Sequence, residues 1–87
     1  MIIEKKVNKK YFQDIIDGKK CFEIRLADFS CGIGDLLLLK EWDDINKVFT
    51  GRQIERKILY LVKTKDLNFW DNEEITKYGY QIIGFDN

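Results

Sequence analysis

The sequence predicts an α+β fold, a closed or nearly closed mixed β-barrel of about five strands with one main helix after the first strand. Three observations predict it. Short β-branched or alternating segments recur along the chain, one amphipathic helical pattern follows the first of them, and no βαβ rhythm is visible. A barrel also buries a strand that is apolar on both faces, and it leaves no sheet edge exposed.

The first strand and the main helix are predicted at the N-terminus. Residues 1–7 form a short β-branched segment, and the side chain of Asn8 can accept hydrogen bonds from the free amides of a following helix. Apolar residues then recur at helical spacing at Tyr11, Phe12, Ile15 and Ile16. Gly18 ends the helix, because glycine adopts a left-handed conformation at little cost.

Four further strands are predicted, at residues 21–26, 35–42, about 50–63 and 80–85. The stretch DLLLLKEW at residues 35–42 is apolar on both faces, as expected of an interior strand. The polar residues 64–78 contain a helical turn near residues 73–78, and Gly79 precedes the last strand. Because the chain has no proline, repeat or low-complexity run, residues 1–87 are predicted to form a single domain.

The composition indicates a folded globule, since 45% of the residues are hydrophobic and 14% aromatic. Cys21 and Cys31 have no CxxC spacing and the chain has no histidine, so neither a metal nor a cofactor is expected. The N-terminal MIIEKKVNKK lacks the apolar run of a signal peptide, and no segment is long enough to span a membrane. The spacing of Cys21 and Cys31 leaves a disulfide open, but nothing marks the chain as secreted, so we expect a cytoplasmic protein with reduced thiols and no membrane association.

The charges are balanced overall and uneven along the chain. The net charge is zero, so bulk electrostatics do not predict nucleic-acid binding. Residues 1–26 hold seven Lys and Arg against four Asp and Glu, whereas residues 66–87 hold one against five. The N-terminal third can thus present a basic surface, although an imbalance of this size also arises by chance in small domains.

The stretch GKKCFEIR at residues 18–25 carries the most informative charge cluster. Alternate residues of a strand share a face, so Glu23 and Arg25 are expected side by side, while the direction of Lys20 at the helix-to-strand junction stays open. One interpretation is a solvated ion pair worth under about 1 kcal/mol. The other is a binding site, because arginine and lysine suit phosphate and glutamate accepts from a base. The pattern alone favours the ion pair.

The order of these segments resembles the small ASCH-type domains of the PUA-like superfamily. The resemblance rests on Gly18, Lys20, Glu23 and Arg25, on Gly34 and Asp35, and on Thr50, Gly51 and Arg52. It spans essentially the whole chain and implies a PUA-like pseudo-barrel, with a role in RNA binding or RNA-related metabolism and a cleft lined by the first run. Many stand-alone members of that group have no assigned activity.

We therefore expect an RNA- or nucleotide-binding module. Its predicted ligand-binding residues are Lys20, Glu23, Arg25, Lys19, Trp42 and Arg52. Lys20 and Arg25 would anchor phosphate, and Glu23 would accept from a base or orient Arg25. Trp42 and Trp70 are candidates for stacking on an unpaired base, although a tryptophan in so small a domain is more often part of the core.

Two alternatives stay open. Some ASCH relatives resemble amidohydrolases that deacylate a modified cytidine nucleoside with a lysine, a threonine nucleophile and a glutamate. Lys20 matches the lysine, but Glu23 stands at the threonine position and lacks the attacking hydroxyl, so catalysis by Lys20 and Glu23 is less expected than binding. The third possibility is a small accessory domain that binds another protein, and the sequence identifies no such partner.

Overall fold

The computed structural model describes residues 1–84 and residue 86. Its elements are β1 (Ile2–Asn8), α1 (Lys9–Ile16), β2 (Leu36–Asp43), β3 (Val48–Lys57), a single 3-10 turn (Thr64–Asp66) and α2 (Asn72–Tyr78). Among the described residues, no helix is both long and apolar enough to cross a bilayer. These helices and strands make a small α+β fold, as the sequence predicts.

The three strands form one mixed sheet in the order β1-β2-β3. β1 and β2 are parallel, with Val7 opposite Glu41, whereas β2 and β3 are antiparallel, with Leu39 opposite Ile54. Parallel neighbours need a crossover connection, which α1 and the following loop supply. The segment β1–α1–β2 is thus one βαβ unit, so the expectation that the chain contains no βαβ unit is wrong. DLLLLKEW is the central strand, in agreement with its apolar character on both faces.

The core lies between α1 and one face of the sheet. It contains Val7, Phe12, Ile15 and Leu39, with Leu37 and Ile54 packed against it. Phe12 is fully buried, which is worth about 1.5–3 kcal/mol relative to an exposed side chain. Within residues 1–84, α1 is the helix that packs on the strands, so the opposite face of the sheet carries no helix. We call that face, which carries Lys6, Leu38, Lys40, Trp42 and Phe49, the open face.

The ends of α1 lie where the sequence predicts them. Asn8 precedes the helix, but its side chain makes no capping hydrogen bond. Gly18 has φ of 75° and donates from its backbone N–H to the carbonyl of Ile15 at 3.1 Å, and Lys19 donates to the carbonyl of Asp14 at 2.9 Å. These bonds satisfy carbonyls that the helix end would otherwise leave free. The reversal at Gly18 directs the chain towards Lys20.

The predicted barrel of five strands is wrong, because residues 1–84 form an open sheet of three strands. Residues 21–26 and residues 80–84 are irregular, and the strand predicted over residues 50–63 ends at Lys57. Phe85, the last residue of the fifth predicted strand, lies outside the described residues. Alternation reports only a local preference, and a strand forms only where a partner backbone pairs with it. The pattern of a strand at residues 21–26 would direct Phe22, Ile24 and Leu26 into the core, whereas Leu26 is 81% exposed.

The loop after α1 returns along the outer edge of β1 without forming a strand. Three contacts mark its path, Arg25 to Lys6, Phe29 to Lys5 and Asp35 to Met1. An uncovered edge presents free backbone groups that pair with other chains, and covering loops are one way to protect it. Side chains of the loop therefore cover the outer edge of β1, and no strand pairs there within the described residues.

The helical turn predicted near residues 73–78 is confirmed as α2. The side chain of Asp71 accepts a hydrogen bond from the backbone N–H of Glu74 at 2.9 Å, which is an N-terminal cap. Gly79 ends the helix with φ of 67°. Local signals at both ends thus define α2, and within residues 1–84 its backbone stays more than 8 Å, Cα to Cα, from the strands and from α1.

Candidate functional site

The carboxylate of Glu23 joins the three charged residues of GKKCFEIR. Lys20 Nζ lies 2.8 Å from Glu23 Oε1, and Arg25 Nε lies 2.9 Å from Glu23 Oε2. The side chains of Lys20 and Glu23 are each 16% exposed. The contact between Glu23 and Arg25 is as predicted, although the backbone here is not a strand. Two cations and one carboxylate leave the cluster with one net positive charge.

Arg25 also bonds to the first strand. Its Nη2 donates to the carbonyl oxygen of Lys6 at 2.6 Å. The guanidinium therefore has a fixed plane, held by a carboxylate through Nε and by a backbone carbonyl through Nη2. Among the described residues, Nη1 has no hydrogen-bond partner, so this nitrogen can donate to an anion from solvent.

Lys20 is held in a partly aromatic setting. Its Nζ donates to the carbonyl of Phe22 at 2.7 Å and lies 5.0 Å from the centroid of the Phe22 ring and 5.6 Å from that of Tyr11. Such placement of an ammonium near aromatic rings is a favourable cation–π arrangement. Lys19, the preceding predicted site residue, is exposed. The sequence does not determine where the Lys20 side chain points. In the structure it points towards Glu23.

Trp42 lies on the open face. Its ring meets the ring of Phe49 edge to face, with centroids 4.9 Å apart, and Lys6 Nζ lies 4.3 Å from the Trp42 centroid. Trp42 is half-buried. The structure therefore separates Trp42 from the side chains of the Glu23 cluster, with strand β1 between them.

Arg52 takes part in a different polar cluster, built on a bulge in β3. Lys40 pairs with Gln53 and Trp42 pairs with Phe49, so residues 50–52 lie opposite the single residue Glu41. Such bulges change which side chains meet across a sheet. Gly51 has φ of 95°, a conformation that glycine adopts readily. The Thr50-Gly51-Arg52 motif is therefore the sequence of this bulge.

Glu41 is buried and accepts hydrogen bonds from two residues of the bulge. Arg52 donates through Nε to Oε1 at 3.0 Å and through Nη2 to Oε2 at 2.7 Å, and the Thr50 hydroxyl donates to Oε1. Arg52 Nη2 also donates to Gln13 Oε1 at 3.0 Å. The Arg52 hydrogen bond lowers the pKa of Glu41 despite burial, and Glu41 in turn raises the pKa of Arg52. Both groups are therefore charged.

Sequence reasoning missed Glu41. The signal was present, because Leu37, Leu39 and Glu41 alternate along one strand and so share the face that packs on α1. A glutamate at a core-facing position needs a cation nearby. Arg52, after a glycine on the neighbouring strand, was the available candidate.

Arg52 and Lys20 approach α1 from opposite sides. Lys20 lies near Tyr11, whereas Arg52 bonds to Gln13. Tyr11 and Gln13 are two positions apart in α1, so their side chains point in directions about 200° apart around the helix axis. The six predicted site residues thus do not form one cleft: Lys20, Glu23 and Arg25 come together with Lys19 next to them, and Trp42 and Arg52 each lie elsewhere.

A surface depression of about 460 Å³ lies between the start of α1 and the turn that joins β2 to β3. Its lining is residues 8–11 and 43–46, and it does not include the side chains of the Glu23 cluster. Lys9 Nζ and Asp43 Oδ2 are 3.7 Å apart across it. Opposite charges here already neutralise each other, so this depression offers no net charge to a ligand.

The two cysteines are free thiols, with Cys21 exposed and Cys31 half-buried. Within residues 1–84 and residue 86, no group of three or more Cys, Asp or Glu side chains is arranged to hold a metal ion.

Comparison with known proteins identifies the family. Residues 2–85 match a family described as a domain of unknown function, DUF3850. The chain is 41% identical over 69 residues to an uncharacterized 12.9 kDa protein in the GpA 3' region of Escherichia phage P2, a match that covers 79% of this chain and 59% of the phage protein. No solved structure matches the chain. The match over residues 2–85 shows that this chain belongs to the DUF3850 family.

Proposed function

We propose that the chain binds RNA or a nucleotide-like ligand at the Lys20–Glu23–Arg25 cluster, without catalysis. The observation that carries the proposal is the geometry of one carboxylate, since Glu23 accepts from both Lys20 and Arg25. Two donor-rich side chains are thereby held side by side with an excess of positive charge. Phosphate groups are bound in proteins by such paired cations.

Arg25 is the residue best placed to contact phosphate. Its Nε and Nη2 are engaged by Glu23 and by the Lys6 carbonyl, which leaves Nη1 to donate outward. A guanidinium fixed in this way loses little conformational entropy when it binds an anion. Because both oxygens of Glu23 already accept from cations, we assign Glu23 to orienting Arg25 rather than to reading a base.

We also propose that the chain is an ASCH-type member of the PUA-like superfamily. The support is the order of Gly18, Lys20, Glu23 and Arg25 along the chain, together with the turn at Gly18 and the contacts among the three charged side chains. Gly18 turns the chain with a positive φ, and the three charged residues then meet at one carboxylate. This proposal rests on the motif, because the sheet is open rather than a barrel. It also keeps the expected cytoplasmic location, where the two thiols stay reduced.

The proposal is tested by following backbone amide shifts while single-stranded RNA or a set of nucleosides is added to the full chain. We expect residues 18–25 to shift with at least one of these probes, and Arg25→Ala to abolish or weaken that binding. Arg56→Ala is the matched control, because Arg56 is an exposed arginine whose Nη1 bonds to the carbonyl of Glu55. If residues 18–25 do not shift with any probe, the proposal is wrong.

The same samples test the absence of catalysis. Acylated cytidine is incubated with the protein, and release of the acyl group is followed. We expect no turnover, because Glu23 has no hydroxyl to attack an amide and its carboxylate oxygens are held by two cations. Turnover that disappears in Lys20→Ala would instead establish an amidohydrolase.

A further inference from the structure

Two aromatic rings and two ammonium groups lie together at one end of the open face. Trp42 and Phe49 are opposite in register, with their rings at 73° to each other. Lys6 Nζ lies 4.3 Å from the Trp42 centroid, and Lys40 Nζ lies 5.2 Å from the Phe49 centroid. Phe49 is 51% exposed, so part of this aromatic surface is open to solvent.

We propose that this cluster binds single-stranded nucleic acid, with unpaired bases stacked on Trp42 and Phe49 and phosphates bound by Lys6 and Lys40. Proteins that bind single strands combine these two elements, flat rings for successive bases and cations for the backbone. The ligand class is that of the proposed function, but the surface is a different one. Either assignment can therefore fail without the other.

The charges on the open face favour a polyanion over a protein partner. Among the described residues Lys6 has no acidic partner, and Lys40 has one exposed carboxylate, Glu4 Oε2, at 3.9 Å. Glu55 and Lys57 also lie on this face by register, and their opposite charges offset each other, so Lys6 and Lys40 still outnumber Glu4. An apolar partner would bury both ammonium groups without compensation, which is costly. A nucleic acid brings phosphates to the ammonium groups as its bases cover the rings.

The lysine contacts on the rings do not block such a ligand. An exposed cation–π contact is generally weaker than stacking of a base on an aromatic ring. Lys6 and Lys40 have long flexible side chains, so each ammonium can leave the ring for a phosphate while a base takes its place. When a base replaces an ammonium group on a ring, the ammonium group stays at the same end of the open face and can bind the phosphate.

Lys6 connects this surface to the Glu23 cluster. Its backbone carbonyl accepts the hydrogen bond from Arg25, and its side chain lies over Trp42 on the open face. Arg25 and Trp42 are thus both in contact with one residue of the edge strand β1. A single strand that passes over this edge can therefore contact phosphate donors on one side and stacking rings on the other.

The experiment measures binding of a fluorescent ten-nucleotide RNA, the same sequence as single-stranded DNA, and a duplex of that RNA, by anisotropy. We expect both single strands to bind more tightly than the duplex, and Phe49→Ala to weaken single-strand binding by about tenfold. Lys6→Gln and Lys40→Gln should each lower the salt slope by about 0.7. Lys6→Gln keeps the backbone carbonyl that holds Arg25.

Exposed residues elsewhere in the chain supply the controls. Phe69→Ala removes a ring that is 72% exposed, and Lys65→Gln removes an exposed ammonium from the 3-10 turn. Both should bind like the original protein. Phe49→Leu is the second variant at that position, because it keeps an apolar contact with Trp42 and removes the stacking surface. Circular dichroism establishes that each variant is folded.

The outcomes separate the two surfaces. If Phe49→Leu binds like Phe69→Ala, or if the duplex binds as tightly as the single strands, the open-face assignment is wrong. If Arg25→Ala binds normally while Phe49→Leu does not, the open-face assignment stands and the Glu23 cluster is not the site. If no oligonucleotide binds and a protein co-purifies in fixed ratio instead, the open-face assignment is overturned.

Discussion

Arg52 donates two hydrogen bonds to the carboxylate of Glu41, from Nε to Oε1 at 3.0 Å and from Nη2 to Oε2 at 2.7 Å. The two partners are unequal, since the side chain of Glu41 is 5% exposed and that of Arg52 is 50% exposed. Loss of the arginine therefore leaves a buried acceptor, whereas loss of the glutamate leaves a cation that water can reach. This inequality decides how variants of the pair should behave.

Arg52→Ala is expected to destabilise the fold by about 2 kcal/mol, because Glu41 would keep only the Thr50 hydroxyl as a partner. Urea unfolding followed by circular dichroism measures the change. Arg56→Ala, at an exposed arginine of the same strand, should stay within about 0.5 kcal/mol of the original protein. Equal effects of the two substitutions would show that the Glu41 pair contributes nothing specific.

Acid should weaken the fold in part through Glu41. Its pKa is lowered in the folded state, chiefly by the Arg52 hydrogen bond, so its contribution is complete above the unfolded pKa of about 4.3 and is lost as the pH falls through the lower folded pKa. Unfolding free energies at a series of pH values below about 5 measure the loss. Glu41→Gln should flatten this dependence.

The flattening should be partial, because hydrogen bonds from Asn46 also lower the pKa of Asp43. Glu55→Gln, an exposed substitution on β3 that removes the same charge, is the variant against which the profile of Glu41→Gln is compared. An unchanged profile in Glu41→Gln would show that Glu41 has the same pKa in the folded and unfolded chains.

Gly51→Ala is expected to cost about 1–2 kcal/mol, because its φ of 95° is unfavourable for any residue with a Cβ. No atom lies within 4 Å of a Cβ placed there, so the cost is backbone conformation and not steric overlap. Thermal unfolding measures it. Gly32→Ala is the control, since Gly32 has no positive φ and its Cβ would meet only Asp35 Oδ2 at 4.0 Å.

Arg25→Lys should keep the positive charge but lose the paired hydrogen bonds that the guanidinium makes. One ammonium cannot reproduce the fork that joins the Glu23 carboxylate to the Lys6 carbonyl. Because Arg25 is partly exposed, we expect stability to fall by less than about 1 kcal/mol. Amide shifts of residues near Lys6 should nevertheless change, and single-stranded RNA should bind more weakly. If Arg25→Lys binds RNA as tightly as the original protein does, the fixed guanidinium plane has no role in binding.

The local elements could be predicted from the sequence because each has its own signal. Phe12 and Ile15 recur at helical spacing and both are buried, and Gly18 adopts the positive φ expected of it. The apolar run of β2 predicted a central strand, which the pairing on both sides confirms. Periodicity and punctuation of this kind act within a few residues, so one sequence is enough to detect them.

The barrel could not be predicted, because closure depends on which backbones meet. The alternation of residues 21–26 is typical of a strand, yet this segment contacts β1 through the Arg25 side chain and not through a backbone ladder. Glu23 and Arg25 still come together, since residues two apart are close in either conformation. The core-facing position of Glu41 could be read from the alternation of β2, but its contact with Arg52 could not, because the register across the bulge is a property of the pairing.

The bulge at residues 50–52 also limits how the length of this hairpin can vary between related chains. β3 has two more residues than regular pairing with β2 would need, and two is the period of a strand. A relative that lacks both extra residues would therefore keep Ile54 against the core and Phe49 on the other side of the sheet. A relative that lacks one would have to turn one of these two side chains over. Length differences at this hairpin are thus expected in pairs.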